Sequence, residues 1–395
     1  MIRIGIALAA LAVCTAAAAQ PAPRTTLDVP LPAPDGFVLN PYAAPGRLAI
    51  GRDGVHYVLL HAFKPVPNAS PPTSEGRVDL LALSPDGAVK QRRAVPIEHS
   101  MGFVGFDLDS LGVAAMRSGE LAVFASGFKS SAAGRTSATL FRFAADLSLK
   151  KTTRLGPPAA KPAKGDGDDG ESFYGVSAYV PTPDNAVLLG GGYGPGPQAW
   201  WMGKFNLDGK RLWQAGPGSG IPERVTAIAP RKGGAWLSLV AEMRKGGGEL
   251  EWFLRRYSAD GKLTERKRVA VPAHAAATVL RDGAVIALDA DEGKQQGELV
   301  FVDDSGRVRH RVPWPFAQTA SMIADGDGLA AIVETKVESK TERFIVRADT
   351  KGAIRWRSAI VAVDEIVSTP DDAIAALVRI GKSDAVLHLV RYADP

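Results

Sequence analysis

A carboxylate, an imidazole and a hydroxyl stand side by side at Glu98-His99-Ser100. That trio supplies general acid–base chemistry if the chain bends so that the three groups converge. Adjacent residues seldom point the same way, so a solvated loop competes for the same three residues. A second cluster, Asp166-Gly167-Asp168-Asp169-Gly170-Glu171, crowds the carboxylates of Asp166, Asp168, Asp169 and Glu171 together. Ca2+ takes about 6–8 hard oxygen ligands, which makes this loop a candidate calcium site. Its order departs from the D-x-D-x-D-G calcium loop, and an acidic solvated loop is the competing reading. Phe173 and Tyr174 follow at once and offer aromatic binding surface, or else core. The histidines at 56, 61, 274, 310 and 388 show no metal spacing and are expected to be structural. Ser148 and Lys151 match S-x-x-K but fall in a turn,. The chain has no G-x-S-x-G elbow, no P-loop and no G-x-G-x-x-G after a strand, so no organic cofactor is expected,.

What positions these residues is a repeat. An apolar strand, a turn built around Asp and then a basic strand recur at Asp86, Asp146, Asp208, Asp260, Asp304, Asp349 and Asp394. From Asp260 the spacings settle at 44, 45 and 45 residues. A second series interleaves at Asp53, Ser118, Asp184, Gly233, Asp282, Gly326 and Asp371, each followed by a short apolar run. Asp, Asn and Gly tolerate the positive φ of tight hairpins, so both series mark strand reversals. Fourteen reversals imply strands grouped four to a repeat. The fold class is therefore all-β: a seven-bladed propeller of four-stranded antiparallel blades. A β-sandwich has no reason to keep this period, and a β-helix repeat is far shorter.

The chain stops directly after Asp394, which leaves the last blade one strand short. Outer strands elsewhere finish in Val-Pro, at Val95-Pro96, Val271-Pro272 and Val312-Pro313, and Val29-Pro30 carries the same ending near the N-terminus. Thr25–Pro30 is therefore expected to pair with Leu387–Tyr392 and close the ring, removing an exposed sheet edge.

Asn206-Leu207-Asp208-Gly209-Lys210-Arg211-Leu212-Trp213 and Asp349-Thr350-Lys351-Gly352-Ala353-Ile354-Arg355-Trp356 resemble the quinoprotein-like (PQQ-type) propeller repeat. In that superfamily the turn Asp, a Gly-Lys pair and a Trp recur, and the Trp locks adjacent blades. Trp213 and Trp356 fit; Val89, Leu149, Leu263 and Val308 stand near that place in other repeats. The resemblance implies the fold. Exported non-enzymatic relatives act as scaffolds, whereas the quinone-dependent dehydrogenases are larger, with a cofactor site that finds no match here.

The first 19 residues read as a signal peptide: Arg3, the apolar run Ile4–Val13, and Ala17-Ala18-Ala19 before Gln20,. Residues 20–395 then form the propeller, in the periplasm or secreted. Cys14, the single cysteine, resembles a lipoprotein signal, but Val13 departs from that pattern. With cleavage after Ala19 no thiol remains, which leaves no disulfide, thiol catalysis or cysteine zinc site. No stretch is long and apolar enough for a transmembrane helix. The net charge of +5 gathers on outer strands, as in Arg307-x-Arg309-x-Arg311. Edge protection explains that placement, with weak attraction to anionic envelope surfaces as the alternative. Export argues against nucleic acid.

Loop length points to one face. Successive turn markers from Asp260 lie 22 or 23 residues apart, but from Asp53 to Asp184 the steps are 33, 32, 28 and 38. The excess falls in loops opposite the turns, over blades one to three, where Lys64–Arg77, Glu98–Ser100, Gly127–Thr139 and Asp166–Glu171 lie. Long loops on a rigid frame are where binding sits. The expectation is an exported binding or scaffold protein using that face, with an envelope or secreted protein, or a cell-envelope polymer, as partner. The alternative is a periplasmic propeller hydrolase or lyase with a metal or acid–base site at the channel mouth.

Overall fold

The punctuation becomes hairpins in a computed structural model of the chain. It describes residues 21–40, 47–68, 74–97, 100–101, 110–127, 137–155, 173–194, 199–216, 223–243, 250–272, 276–290, 294, 296–337, 340–381 and 386–395. In blade one the Ser84 N–H donates to Ala88 O at 2.9 Å and the Gly87 N–H to Ser84 O at 2.8 Å. Gly87 takes φ 88°, the left-handed region a tight turn of this kind needs,. The same pattern returns in blades two to six. Where no glycine is present Leu147 adopts φ 54° itself, and Asn185 and Asp372 do so in the other turn series.

Seven antiparallel sheets result, each with an inner, second, third and outer strand. Second strands such as His56–Pro65 and Ile374–Ile380 are buried on both faces, which accounts for their continuous apolar runs,. Tyr57 and Leu59 face blade two while Val58 and Leu60 face blade seven. Seven hydrophobic clusters follow, one in each seam between neighbouring blades. Outer strands such as Val89–Val95 are exposed almost throughout, and several of their cations pair within the blade. Arg92 reaches Asp79 at 2.6 Å, Arg309 reaches Asp282 at 2.6 Å and Arg311 reaches Glu298 at 2.6 Å.

The ring closes in the expected register. Arg24–Leu31 lies antiparallel to Val386–Ala393, with Thr25 opposite Tyr392 and Leu31 opposite Leu387. Leu31 is fully buried among Leu48, Val58 and Leu389. His388 Nδ1 lies 2.6 Å from Asp28 Oδ1 across the same pair of strands. This strand also does what the other outer strands do. A Cβ on Gly87 of blade one would sit 2.3 Å from Val29 Cγ2. Likewise Thr153 of blade two covers Gly209 of blade three, and Trp213 of blade three covers Gly261 of blade four. Trp356 of blade six donates its indole N–H to Asp394 of blade seven at 2.7 Å. The two tryptophans read as blade locks therefore sit at blade junctions.

Two features depart from a uniform repeat. The inner strand of blade one is split into Val38–Leu39 and Leu48–Ile50, both paired with His56–Pro65, and a short extra strand, Ser100–Met101, joins the third strand. On the turn face, the aspartates that form hairpins also bind basic residues of the third strands. Arg142 bridges Glu120 and the next blade's Asp208, both within 2.8 Å. Arg256 reaches Asp304 at 3.0 Å, and buried Arg347 holds Asp325, Asp372 and Asp394, each at 2.6 Å.

Candidate functional site

The inner strands surround the propeller axis, and they are not regular. Those of blades three, four, six and seven each carry one extra residue, at Ser177, Thr226, Ala320 and Asp364. Each bulge stands five residues before its turn, so the four form one tier. In blade one the Asn40 N–H donates to His61 O and the Leu59 N–H to Arg47 O, both at 2.8 Å. A bulge unpairs one residue and re-aims it, which is why bulges gather at barrel rims and beside sites. The tier is tied across blades: Ser177 donates its hydroxyl to Val225 O, and the Val176 N–H donates to Ser110 Oγ at 2.9 Å.

The charged part of the tier lies between blades seven and one. Asp364 Oδ2 accepts from Arg47 Nη2 at 2.9 Å and from Arg379 Nη2 at 2.7 Å, and Asp364 Oδ1 accepts from Arg379 Nε at 3.0 Å. The neighbouring Glu365 takes the Arg47 backbone N–H at 2.7 Å. Arg379 also donates to Asn40 O at 3.1 Å, and the Asn40 amide lies 3.2 Å from His61 Nδ1. Two carboxylates thus meet two guanidiniums in a charge-balanced knot. Tyr179 enters from blade three, edge-on to Phe124 at 5.0 Å. Burial first, and then the Glu365 carboxylate, push its phenol well above its usual value. The carboxylates here are engaged by fixed, charge-assisted donors,.

Exposed apolar residues fall into two sets. Val89, Leu149, Leu212, Leu263 and Val308 stand at or beside the starts of outer strands around the rim, one in each of blades one to five. The other five have no such repeat logic. Val38 at 58% and Ile360 at 57% exposure, with Val66, Ile380 and Val386, lie on the loop face around blades seven and one. Ile380 pairs with Val386, and the Arg379–Asn40 bond ties that hairpin to the Val38–Leu39 strand. Scattered exposed apolar residues are ordinary; only a contiguous apolar patch marks an interaction site.

Of the residues singled out from sequence, Glu98, His99, Asp166, Asp168, Asp169 and Glu171 lie outside the described residues. Ser100 opens the short strand opposite Glu75. Phe173 and Tyr174 begin the inner strand of blade three, opposite Gly194 and Tyr193, and so stand at its loop-face end. No group of three or more His, Cys, Asp or Glu side chains is arranged for a metal among the described residues. His56 is buried, and burial lowers its pKa. His310 stacks on Phe301 at 4.5 Å. The Asp364 knot was missed in the sequence. Its signal was an Asp-Glu pair inside the otherwise apolar strand Ala362–Ser368, since buried carboxylates require cationic partners,.

No protein-family model matches the chain, and no curated protein matches its sequence. Among solved structures it is similar to Drosophila Semaphorin 1a, extracellular domains 1–2, at 8% identity and TM-score 0.50, over 93% of this chain and 88% of that one. Acylaminoacyl peptidase from Pyrococcus horikoshii is similar at 9% identity and TM-score 0.49, over 88% of this chain and 52% of that one. This chain therefore spans about half the peptidase's length. The subtype N10 neuraminidase-like protein of A/little yellow-shouldered bat/Guatemala/060/2010 is similar at 8% identity and TM-score 0.40, over 94% of this chain and 99% of that one. At such identities likeness extends to the fold alone: the chain is a seven-bladed β-propeller.

Proposed function

We propose that this chain is an exported binding or scaffold propeller that engages an envelope or secreted protein, or a cell-envelope polymer, through its loop face. The signal-peptide reading of residues 1–19 places it in the periplasm or outside the cell,. The turns carrying Trp213 and Trp356 keep the quinoprotein-like resemblance as our reading of its ancestry. The observation that carries the binding reading is the gathering of Val38, Val66, Ile360, Ile380 and Val386 on the face with the lengthened loops. That extends the surface from blades one to three round to blade seven. The hydrolase or lyase reading draws less support, because Asp364 and Glu365 already receive guanidinium and backbone donors.

The test is capture from envelope extract and from culture fluid by the purified protein. Val38→Asp with Ile380→Asp should abolish capture while the melting temperature stays within a degree or two. Val89→Asp with Leu263→Asp, on the rim, should leave capture intact. Equal capture by both double variants would refute the assignment of the face.

A further inference from the structure

Cations mark the outer strands of most blades, but what neutralises them differs from blade to blade. In blades four and five Arg266, Lys267, Arg268, Arg309 and Arg311 each meet a carboxylate within 3.3 Å. The outer strands of blades one and two, Val89–Val95 and Leu149–Leu155, carry cations at positions 90, 92, 93, 150, 151 and 154 and no carboxylate. Arg92 reaches Asp79 at 2.6 Å, and Lys151 stands 3.9 Å from Asp208. Lys90, Arg93, Lys150 and Arg154 are exposed and pair with no carboxylate among the described residues.

Three of these four share one cleft. Arg93 stands opposite Leu80, and Val95, two residues on, stands opposite Val78. Leu80, Val78 and Val95 all belong to the cluster between blades one and two, so Arg93 faces blade two. On the other wall Thr152 stands opposite Phe141, a member of the same cluster. By the alternation of a strand, Lys150 and Arg154 share that face with Thr152 and point toward blade one. Counted from the turn aspartate of its own blade, Asp86 or Asp146, Lys150 stands at four residues, Arg93 at seven and Arg154 at eight. The three cations thus spread over about 13 Å of strand. The third strands beneath them add only apolar side chains to this seam, such as Leu80, Ala82 and Phe141. Asp146 itself is held below its ordinary value first by the Ser148 hydroxyl and N–H, and only then by Lys150.

Edge protection accounts for charge on these strands but not for an excess of one sign, because acidic and basic side chains both resist edge-to-edge pairing. We propose that the cleft between the outer strands of blades one and two binds a linear polyanion, a polymer that carries phosphate or carboxylate groups along its length. Two guanidiniums offer the planar fork that fits either group, and the ammonium adds a point charge. A row of cations along two neighbouring strands matches successive anions of one chain. A flat bilayer would meet the tips of a convex rim, not the cleft between two blades. The exposed Val89 and Leu149 recur in blades three to five as Leu212, Leu263 and Val308, so they belong to the repeat and not to a lipid contact. This surface lies on the rim and stands whether or not the loop face has a partner.

The experiment measures retention of the purified protein on immobilised polyphosphate and polygalacturonate, with neutral dextran and phosphatidylglycerol vesicles as the other arms, across a salt series. Retention on at least one of the two polyanions is expected, falling steeply with salt, and none on dextran. Whichever polymer is retained names the anionic group. The triple variant Arg93→Gln, Lys150→Gln, Arg154→Gln should weaken binding about eightfold at low salt, since an exposed charge contact is worth a factor of about two, and should flatten the salt dependence. Lys267→Gln with Arg309→Gln and Arg311→Gln removes the same number of charges from paired, exposed positions and should weaken binding less than about twofold,. Val38→Asp with Ile380→Asp should leave retention unchanged, which separates this surface from the loop face. No retention on either polyanion overturns the proposal. So do equal losses in the two triple variants, and so does retention on the vesicles without retention on a polymer.

Discussion

Gly87 and Gly119 make a matched pair that tests ring closure. Both sit in tight turns on the same face at nearly the same backbone angle, φ 88° and 83°. A Cβ on Gly119 would meet nothing within 4 Å, whereas one on Gly87 would meet Val29 Cγ2 at 2.3 Å and Leu27 Cδ1 at 2.8 Å. Gly119→Ala therefore costs backbone strain alone, about 1–2 kcal/mol. Gly87→Ala adds overpacking of about 1–3 kcal/mol, for a total of about 2–5 kcal/mol. Unfolding entropy of roughly 2.1 cal/mol/K per residue over 395 residues converts each kcal/mol into roughly 1.2 °C,. The expected losses in melting temperature are thus roughly 1–2 °C for Gly119→Ala and roughly 2–6 °C for Gly87→Ala. Val29→Ala removes the colliding methyl, so in a double-mutant cycle it should recover about 1 kcal/mol or more of the Gly87→Ala loss. Equal costs at the two glycines, together with a coupling energy of zero, would show that the N-terminal strand does not rest on blade one in solution.

Removing residues 21–31 should cost far more than trimming an ordinary terminus, since Leu31 alone is worth about 2–5 kcal/mol; unchanged melting and sedimentation would refute the closure,. Arg347→Met strands the carboxylate of Asp325, whose side chain is only 2% exposed, and should cost about 3–5 kcal/mol in urea unfolding,. Arg309→Met, at an exposed pair with Asp282, should cost about 0–1 kcal/mol, and similar costs for the two would contradict the packing described,. Burial works to raise the Asp394 carboxyl, but Arg347 and the Trp356 N–H outweigh it and hold it below the ordinary value. Its stabilisation is therefore complete above the unfolded pKa of about 3.9 and is lost as pH falls through the lowered value. Melting temperature should drop below about pH 4, less steeply in Asp394→Asn; an identical acid slope in that variant would count against the assignment.

The closure was legible because it rests on a residue-level signature. Val-Pro ends an outer strand in several blades, and Val29-Pro30 repeats it where Pro30 pairs with His388 at the sheet edge,. Hairpins were legible for the same reason, since positive φ selects Gly, Asn and Asp. The bulge tier was not. Its residues are Ser177, Thr226, Ala320 and Asp364, two hydroxyls, a methyl and a carboxylate with no one type in common. A bulge is settled by the fit of one strand to its neighbour, not by the type of the extra residue. The aspartates were read correctly as turn formers, but their second role depends on which blade lies next door. One signal for it was present: Arg142-Phe143, Lys204-Phe205, Arg256-Tyr257 and Arg391-Tyr392 each set a cation and an aromatic ring just ahead of a turn Asp.

These two roles together explain why the faces divide their labour. On the turn face the hairpins are short: Asp86 and Asp260 accept from serines of their own loops, Asp208, Asp304 and Asp394 are bound by arginines, and Asp184 and Asp371 have both a loop hydroxyl and a cation. Lengthening one of these turns would move an acidic group that the adjacent blade relies on, so the ring itself restrains variation there. The loop face carries no such obligation: its connections join strands that are already registered by the turns opposite. Extra residues can accumulate there at the small entropic cost of a longer loop. The inner strands end on that face, where a bulge can re-aim a side chain toward the axis without disturbing a seam. Asp364 shows the limit of that freedom, since once turned inward it required Arg47 and Arg379 to hold it, and in holding it they join blade seven to blade one.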